Sequence, residues 1–115
     1  MSCLETLHEL GWSTPQLTAI EGRSAGGLLL GAVLNMRPDL FTVVLASAPY
    51  VDVLASMGDP TIPLVATDWA EFGNPNEDKY FSYMRSYSVP ENVTKQAYPA
   101  TLIVAGLHDS RVQYW

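Results

Sequence analysis

A serine between two glycines is the feature of this sequence with the clearest chemical potential. Residues 22–26 read Gly-Arg-Ser-Ala-Gly, a G-x-S-x-G pattern with Ser24 at its centre. The serine would sit on a tight strand-to-helix turn that projects its hydroxyl, with glycines on either side because larger side chains would clash there. The N–H of Ala25, at the positive end of the following helix, would then point at a developing oxyanion. A five-residue pattern with two open positions recurs by chance, and small residues also form ordinary strand-to-helix turns. The pattern therefore indicates a catalytic serine only where a strand precedes it and a helix follows it.

The second candidate catalytic residue is an aspartate that follows the serine along the chain. Asp109 follows the apolar segment 100–105, where the acid of a serine–acid–histidine triad would stand. Its carboxylate would orient a histidine and stabilise the imidazolium, although alone it would be an ordinary loop aspartate. The two histidines are His8, on a predicted helix before Ser24, and His108, adjacent to Asp109. We interpret both as structural, so the sequence supplies no base to activate the serine.

Three apolar segments must position these side chains. Residues 17–21, 42–47 and 100–105 predict strands, and a helix over 25–37 follows the first of them. Since the strands are apolar rather than alternating and two are joined through a helix, they predict an α/β fold, a parallel sheet with helices on both faces. Gly27 and Gly31 share a helix face, which predicts close approach of that helix to the sheet.

Two further helices are predicted on either side of this unit. Ser2 and Glu5 have the spacing of a capping box that begins a helix, and Gly11 ends it. Cys3 would be a small buried residue on the apolar side of that helix. A second helix is predicted over 76–86, with its apolar side chains packed inward: Tyr80, Phe81, Tyr83 and Met84.

Composition and charge exclude several classes of function. The net charge of −6 comes with no basic stripe, so we expect no nucleic-acid partner. One cysteine excludes a disulfide within the chain, and no 18-residue apolar stretch predicts a membrane span. No signal peptide is apparent, and no metal or cofactor is expected. The 115 residues are about half of a complete α/β domain, which commonly has about 200–250.

Beyond these motifs, long stretches of the chain resemble oligopeptidase B, in the prolyl oligopeptidase family of serine peptidases. The similar stretches cover nearly the whole sequence: 22–29, 35–41, 49–53, 62–64, 72–75, 83–88, 92–94 and 106–115. The resemblance implies a partial α/β-hydrolase fold, truncated at both ends. Residues 1–115 would be the part of the catalytic domain from the nucleophile to the acid loop. The β-propeller, the catalytic histidine and the rest of the full-length peptidase would lie outside them.

The resemblance also implies roles for individual residues. Ser24 would be the nucleophile, Asp109 the triad acid and Ala25 one oxyanion donor, with the second donor, a tyrosine hydroxyl, outside the chain. Arg111 would bind the peptide substrate beyond the cleavage site. The implied activity is serine-type endopeptidase hydrolysis of short peptides in the cytosol.

Cleavage after arginine or lysine is implied less directly. The family holds the basic side chain with two carboxylates before its Gly-Asn-Pro turn; Asp68 matches the first, whereas Ala70 replaces the second. Glu71 stands next to it and would compensate, because a guanidinium is best held by two acceptor oxygens. Asp68 and Glu71 are equally well explained as solvated helix residues. Tyr50 would line the same pocket or serve core packing.

Two other functions stay open from the sequence. The chain would be a non-catalytic truncated remnant or pseudoenzyme if no histidine completes the triad, and by itself we expect it to be inactive. An esterase on the same fold would share the serine turn, but it has no support from the similar stretches outside that motif.

Overall fold

The computed structural model describes all residues, 1–115, as a three-stranded sheet with five α-helices and three short 3₁₀ turns. The strands are β1 (Ala19–Ser24), β2 (Val43–Pro49) and β3 (Ala100–Val104). The helices are α1 (Ser2–Glu9), α2 (Ala25–Met36), α3 (Val53–Gly58), α4 (Val65–Phe72) and α5 (Asp78–Arg85). None of the helices combines the length and the apolar composition that crossing a membrane requires.

The sheet is parallel with strand order β1-β2-β3, which confirms the predicted α/β architecture. β2 and β3 lie where the sequence predicts them. β1 begins later than expected, because Pro15–Leu17 forms a 3₁₀ turn, and it continues without a break to Ser24. All three strands therefore end at one edge of the sheet, and the loops that follow them share that edge.

Two apolar clusters hold the elements together. Leu30 of α2 packs with Val44 of β2 and with Leu40 and Phe41, which fixes α2 on the sheet. The larger cluster unites α3, α4 and α5 with the start of α2 and with the loop after β3; its buried members are Leu28, Tyr50, Val53, Met57, Val65, Met84 and Val112. Val112 thereby anchors the segment that contains Asp109.

The glycines around Ser24 differ in how much space surrounds them. A Cβ on Gly22 would lie 2.6 Å from the Gly26 carbonyl oxygen, and one on Gly27 would lie 2.4 Å from Pro49 Cβ, so both positions need glycine. The expectation for Gly26 is wrong, because nothing lies within 4 Å of a Cβ there. Gly31 contacts Val89 of a loop rather than the sheet, so only Gly27 serves the predicted close approach.

The first helix differs from its prediction. Met1 is the N-cap, no side chain caps the helix, and Glu5 instead accepts a 2.5 Å hydrogen bond from Arg37. Cys3 is exposed rather than buried, because α1 contributes no buried residue to the core. Gly11 does end the helix as predicted: it has φ +73°, and its N–H donates to the His8 carbonyl.

The α5 helix and the β3 strand leave apolar side chains uncovered. Met84 of α5 is fully buried as predicted, but the inward packing of Phe81 and Tyr83 is wrong, since they are 44% and 65% exposed. Every residue of β3 is exposed, Leu102 and Ile103 among them. Exposed contiguous apolar surface of this kind is typical of a face that another segment or partner covers.

Candidate active site

The Ser24 side chain stands on a strained turn at the carboxyl end of β1. Ser24 has φ 54° and ψ −121°, a conformation that residues other than glycine rarely adopt. It is the last residue of the strand and the N-cap of α2, and it is exposed. The sharp turn predicted from the G-x-S-x-G pattern is therefore present, and it presents the hydroxyl rather than burying it.

A bulge in β2 that the sequence did not reveal supports this turn. Arg23 pairs with Ser47, but Ser24 pairs with Pro49, so Ala48 is an extra residue in the ladder. Ala48 has φ 41°, and beyond it the N–H of Tyr50 donates to the Ser24 carbonyl at 3.0 Å. In the sequence, only Pro49 could have indicated this bulge, since a proline within a strand often marks one.

The backbone next to Ser24 can stabilise negative charge. Ala25 is the first residue of α2, and the first four N–H groups of a helix have no acceptor within it. The positive end of the helix dipole adds to the same effect. An N–H of this kind beside Ser24 is the type of donor that a tetrahedral oxyanion requires.

Asp109 lies at the same sheet edge as Ser24, in the loop after β3. Its Oδ1 accepts two hydrogen bonds of 2.9 Å, from the backbone N–H groups of Arg111 and Val112. These bonds, together with the nearby charge of Arg23, hold the pKa of Asp109 below its ordinary value of 3.8. Oδ2 accepts no hydrogen bond from the chain, so a fixed, ionised carboxylate has one oxygen available for a histidine N–H.

Neither histidine of the chain is placed to serve Ser24. His8 Nε2 is hydrogen-bonded to Thr18 Oγ1 at 2.9 Å, at the amino end of β1. Ser24 lies six positions further along the strand than Thr18, which is about 20 Å at about 3.3 Å per residue. His108 is exposed and adjacent to the aspartate it would have to pair with.

Two of the candidate substrate residues are bonded to each other. Arg111 Nη2 donates to Asp68 Oδ2 on α4, and Arg111 Nη1 donates to the Pro63 carbonyl at 2.6 Å. The side chains remain partly accessible, 37% for Arg111 and 22% for Asp68. The two positions are 43 residues apart, and no local pattern indicated that they pair.

The remaining candidates differ in accessibility. Glu71 and Ala70 are exposed on α4, where Glu71 is one turn from Asp68 and Ala70 is two residues from it. Tyr50 is only 7% exposed and belongs to the larger apolar cluster, with its ring centroid 6.5 Å from that of Phe72. Both candidate roles of Glu71 and Tyr50, in substrate binding and in surface or core structure, are compatible with these positions.

The Tyr50 hydroxyl is buried and completes no hydrogen bond with the chain. Burial raises the pKa of Tyr50, while nearby Ser56 and Arg111 oppose part of the rise. Tyr50 also lines a cavity of about 590 Å³ between α3 and the loop after β3. The catalytic candidates and the Arg111–Asp68 pair are not part of its lining, although Pro49, which pairs with Ser24, is.

Comparisons with known proteins agree with this geometry. Residues 1–115 match the sequence model of the prolyl oligopeptidase family. The chain is 48% identical over 105 residues to dipeptidyl aminopeptidase BI of Pseudoxanthomonas mexicana, which covers 91% of the chain and 14% of that protein. The similarity therefore extends over all of the elements described above.

Two solved structures of oligopeptidase B have the same fold over this region. The enzyme from Leishmania major superposes with a TM-score of 0.95 at 57% identity, and the closed form from Trypanosoma brucei with covalently bound antipain superposes with 0.95 at 60%. Each covers 98% of the chain, and the chain covers 16% of each. The chain thus spans about a sixth of the length of these relatives.

Proposed function

Because the chain belongs to the prolyl oligopeptidase family of serine peptidases, we propose that its residues form the nucleophile-to-acid part of the catalytic domain of a longer peptidase. One observation carries the proposal: a strained, exposed serine and a fixed, ionised aspartate lie at one edge of a parallel sheet. The uncovered β3 strand supports the longer protein, since its exposed apolar side chains call for further packing.

In the proposed mechanism, a histidine from outside residues 1–115 removes the proton from Ser24 as its oxygen attacks the peptide carbonyl. The Ala25 N–H stabilises the oxyanion, and a second donor comes from elsewhere in the longer protein. Asp109 uses its free Oδ2 to hold the histidine and to stabilise the imidazolium. The histidine then protonates the leaving amine, and water releases the acyl group from Ser24.

The proposed substrates are short peptides, cleaved after arginine or lysine, in the cytosol. Asp68 and Glu71 are one turn apart on α4, so both carboxylates can face one basic side chain. Arg111 would bind the peptide backbone beyond the cleavage site, and Tyr50 would contribute to the wall behind the basic side chain. A β-propeller in the longer protein would exclude folded proteins.

Hydrolysis of matched fluorogenic peptides tests this function. The peptides differ only at the residue whose carbonyl is attacked, which is arginine in one and its neutral isostere citrulline in the other. We expect the longer peptidase to hydrolyse the arginine peptide with the higher kcat/KM. Hydrolysis of simple esters without any cleavage of peptides would instead favour an esterase.

Replacing Ala70 with glutamate is expected to increase the preference for arginine. The new carboxylate supplies a second acceptor at the position where the resemblance to oligopeptidase B implies an acid. Hydrogen bonds between charged groups are stronger than those between neutral groups. We expect the arginine-to-citrulline ratio of kcat/KM to rise about tenfold or more. Ala66→Glu, on an exposed position one turn earlier in α4, is the control, and an unchanged ratio in Ala70→Glu would argue against an acidic pocket on α4.

A further inference from the structure

The bond between Arg111 and Asp68 places both proposed substrate-binding groups in one ion pair. Arg111 directs one guanidinium nitrogen to the Asp68 carboxylate and another to the Pro63 carbonyl. These bonds use two of the five guanidinium N–H groups of Arg111 and hold the group toward Asp68 and Pro63. Asp68 likewise has one oxygen already engaged by a cation. A bidentate contact between a substrate guanidinium and Asp68 needs both carboxylate oxygens, so it requires this pair to open.

The solvent exposure of the pair keeps the free-energy cost of separating Arg111 from Asp68 small. The side chains are 37% and 22% exposed, so solvent reaches both partners. Ion pairs at the surface contribute little to stability, because water compensates for most of the attraction. When one guanidinium replaces another at Asp68, the carboxylate keeps a counter-ion.

The backbone of the acid loop does not depend on the pair. The N–H groups of Arg111 and Val112 are bonded to Asp109, and the Val112 side chain is buried in the larger apolar cluster. These contacts hold the loop from its backbone and from the core side. The Arg111 guanidinium can therefore leave Asp68 without displacing the triad acid.

We propose that the basic side chain of a peptide substrate exchanges with Arg111 at Asp68. The proposal rests on the function proposed above and adds how the site distinguishes basic from neutral peptides. The incoming guanidinium or ammonium group takes the Asp68 carboxylate, and the Arg111 guanidinium so released donates to a backbone carbonyl of the same peptide. A neutral side chain cannot displace Arg111, so such a peptide gains neither contact.

The variant Asp68→Asn tests this exchange because it changes the affinity for the two matched peptides in opposite directions. For the arginine peptide, KM should rise about tenfold or more, since the carboxylate that receives the guanidinium is lost. For the citrulline peptide, KM should fall about two- to fivefold, because Arg111 is now free to bind the backbone without first leaving a carboxylate. A merely structural role would shift both values the same way.

Asp39→Asn is the matched control, because Asp39 forms a comparable surface pair with Arg37 at 2.8 Å far along the chain from these residues. It should leave both KM values unchanged. Equal shifts for the two peptides in Asp68→Asn, or no shift, would overturn the exchange while leaving the peptidase function standing. Hydrolysis of neither peptide by the unaltered enzyme would overturn the proposed function, and the exchange with it.

A crystal structure of the unaltered longer peptidase with agmatine, a small guanidinium compound, gives a second readout that needs no variant to fold. The exchange predicts agmatine on the Asp68 carboxylate and the Arg111 side chain turned away from it. Arg111 still bonded to Asp68, with agmatine absent from that carboxylate at saturating concentration, would overturn the proposal.

Discussion

Replacing Ser24 with alanine is expected to lower kcat for peptide hydrolysis by the longer peptidase on the order of 10⁶-fold. Alanine removes the only atom that forms the covalent intermediate, and no neighbouring hydroxyl stands on the same turn. Hydrolysis of the arginine peptide measures the loss. KM should change little if Ser24 contributes only to the chemical step.

Ser82→Ala is the matched control for this variant. Ser82 is an exposed serine on α5 and has no part in the proposed site, so its replacement should leave kcat unchanged. If Ser24→Ala kept kcat within about tenfold of the unaltered enzyme, a triad mechanism with Ser24 as nucleophile would be excluded. Removing the nucleophile of such a triad lowers kcat by far more than about tenfold.

Replacing Asp109 with asparagine is expected to lower kcat about 10⁴-fold. The amide oxygen can still accept the N–H groups of Arg111 and Val112, so the loop keeps its shape. What disappears is the negative charge, and with it the oxygen that holds the histidine in the required tautomer. The pH–rate profile of the residual activity should also change, because the histidine loses its charged partner.

Asp59→Asn controls for the loss of a carboxylate in a turn of the same design. Asp59 Oδ1 accepts the Thr61 hydroxyl at 2.6 Å and the Thr61 N–H at 2.9 Å, and these bonds lower the pKa of Asp59, as the two N–H bonds lower that of Asp109. Its replacement should leave kcat and the pH profile as they were. Comparable losses in the two variants would show that Asp109 matters only for folding.

The chemistry-bearing turns were predictable from the sequence because their signals are local. The conformation of Ser24 follows from a strand, a small-residue pentapeptide and a helix in succession, and the apolar character of the three strands indicates a parallel sheet. Parallel strands share a carboxyl edge, so Asp109 had to lie on the side of Ser24. Each of these inferences needs only neighbouring residues and one topological rule.

The features that escaped prediction depend on long-range contacts. Gly27 must be glycine because Pro49 lies against it, and this contact joins distant parts of the chain. The open space beside Gly26 cannot be predicted from the sequence either. Cys3 is exposed because α1 contributes no buried residue to the core, although the helical spacing of Cys3 with leucines favours burial. The pairing of Arg111 with Asp68 likewise joins the loop after β3 to helix α4, which only the fold brings together.

A fluorophosphonate adduct located by peptide mass spectrometry tests the central claim most directly. The reagent is attacked by a serine oxygen only where a base and an oxyanion site activate it. In the longer peptidase we predict one stoichiometric adduct, on Ser24, and its loss in Asp109→Asn. An adduct on another serine in an enzyme that still cleaves the arginine peptide would contradict the assignment of the nucleophile to the turn after β1.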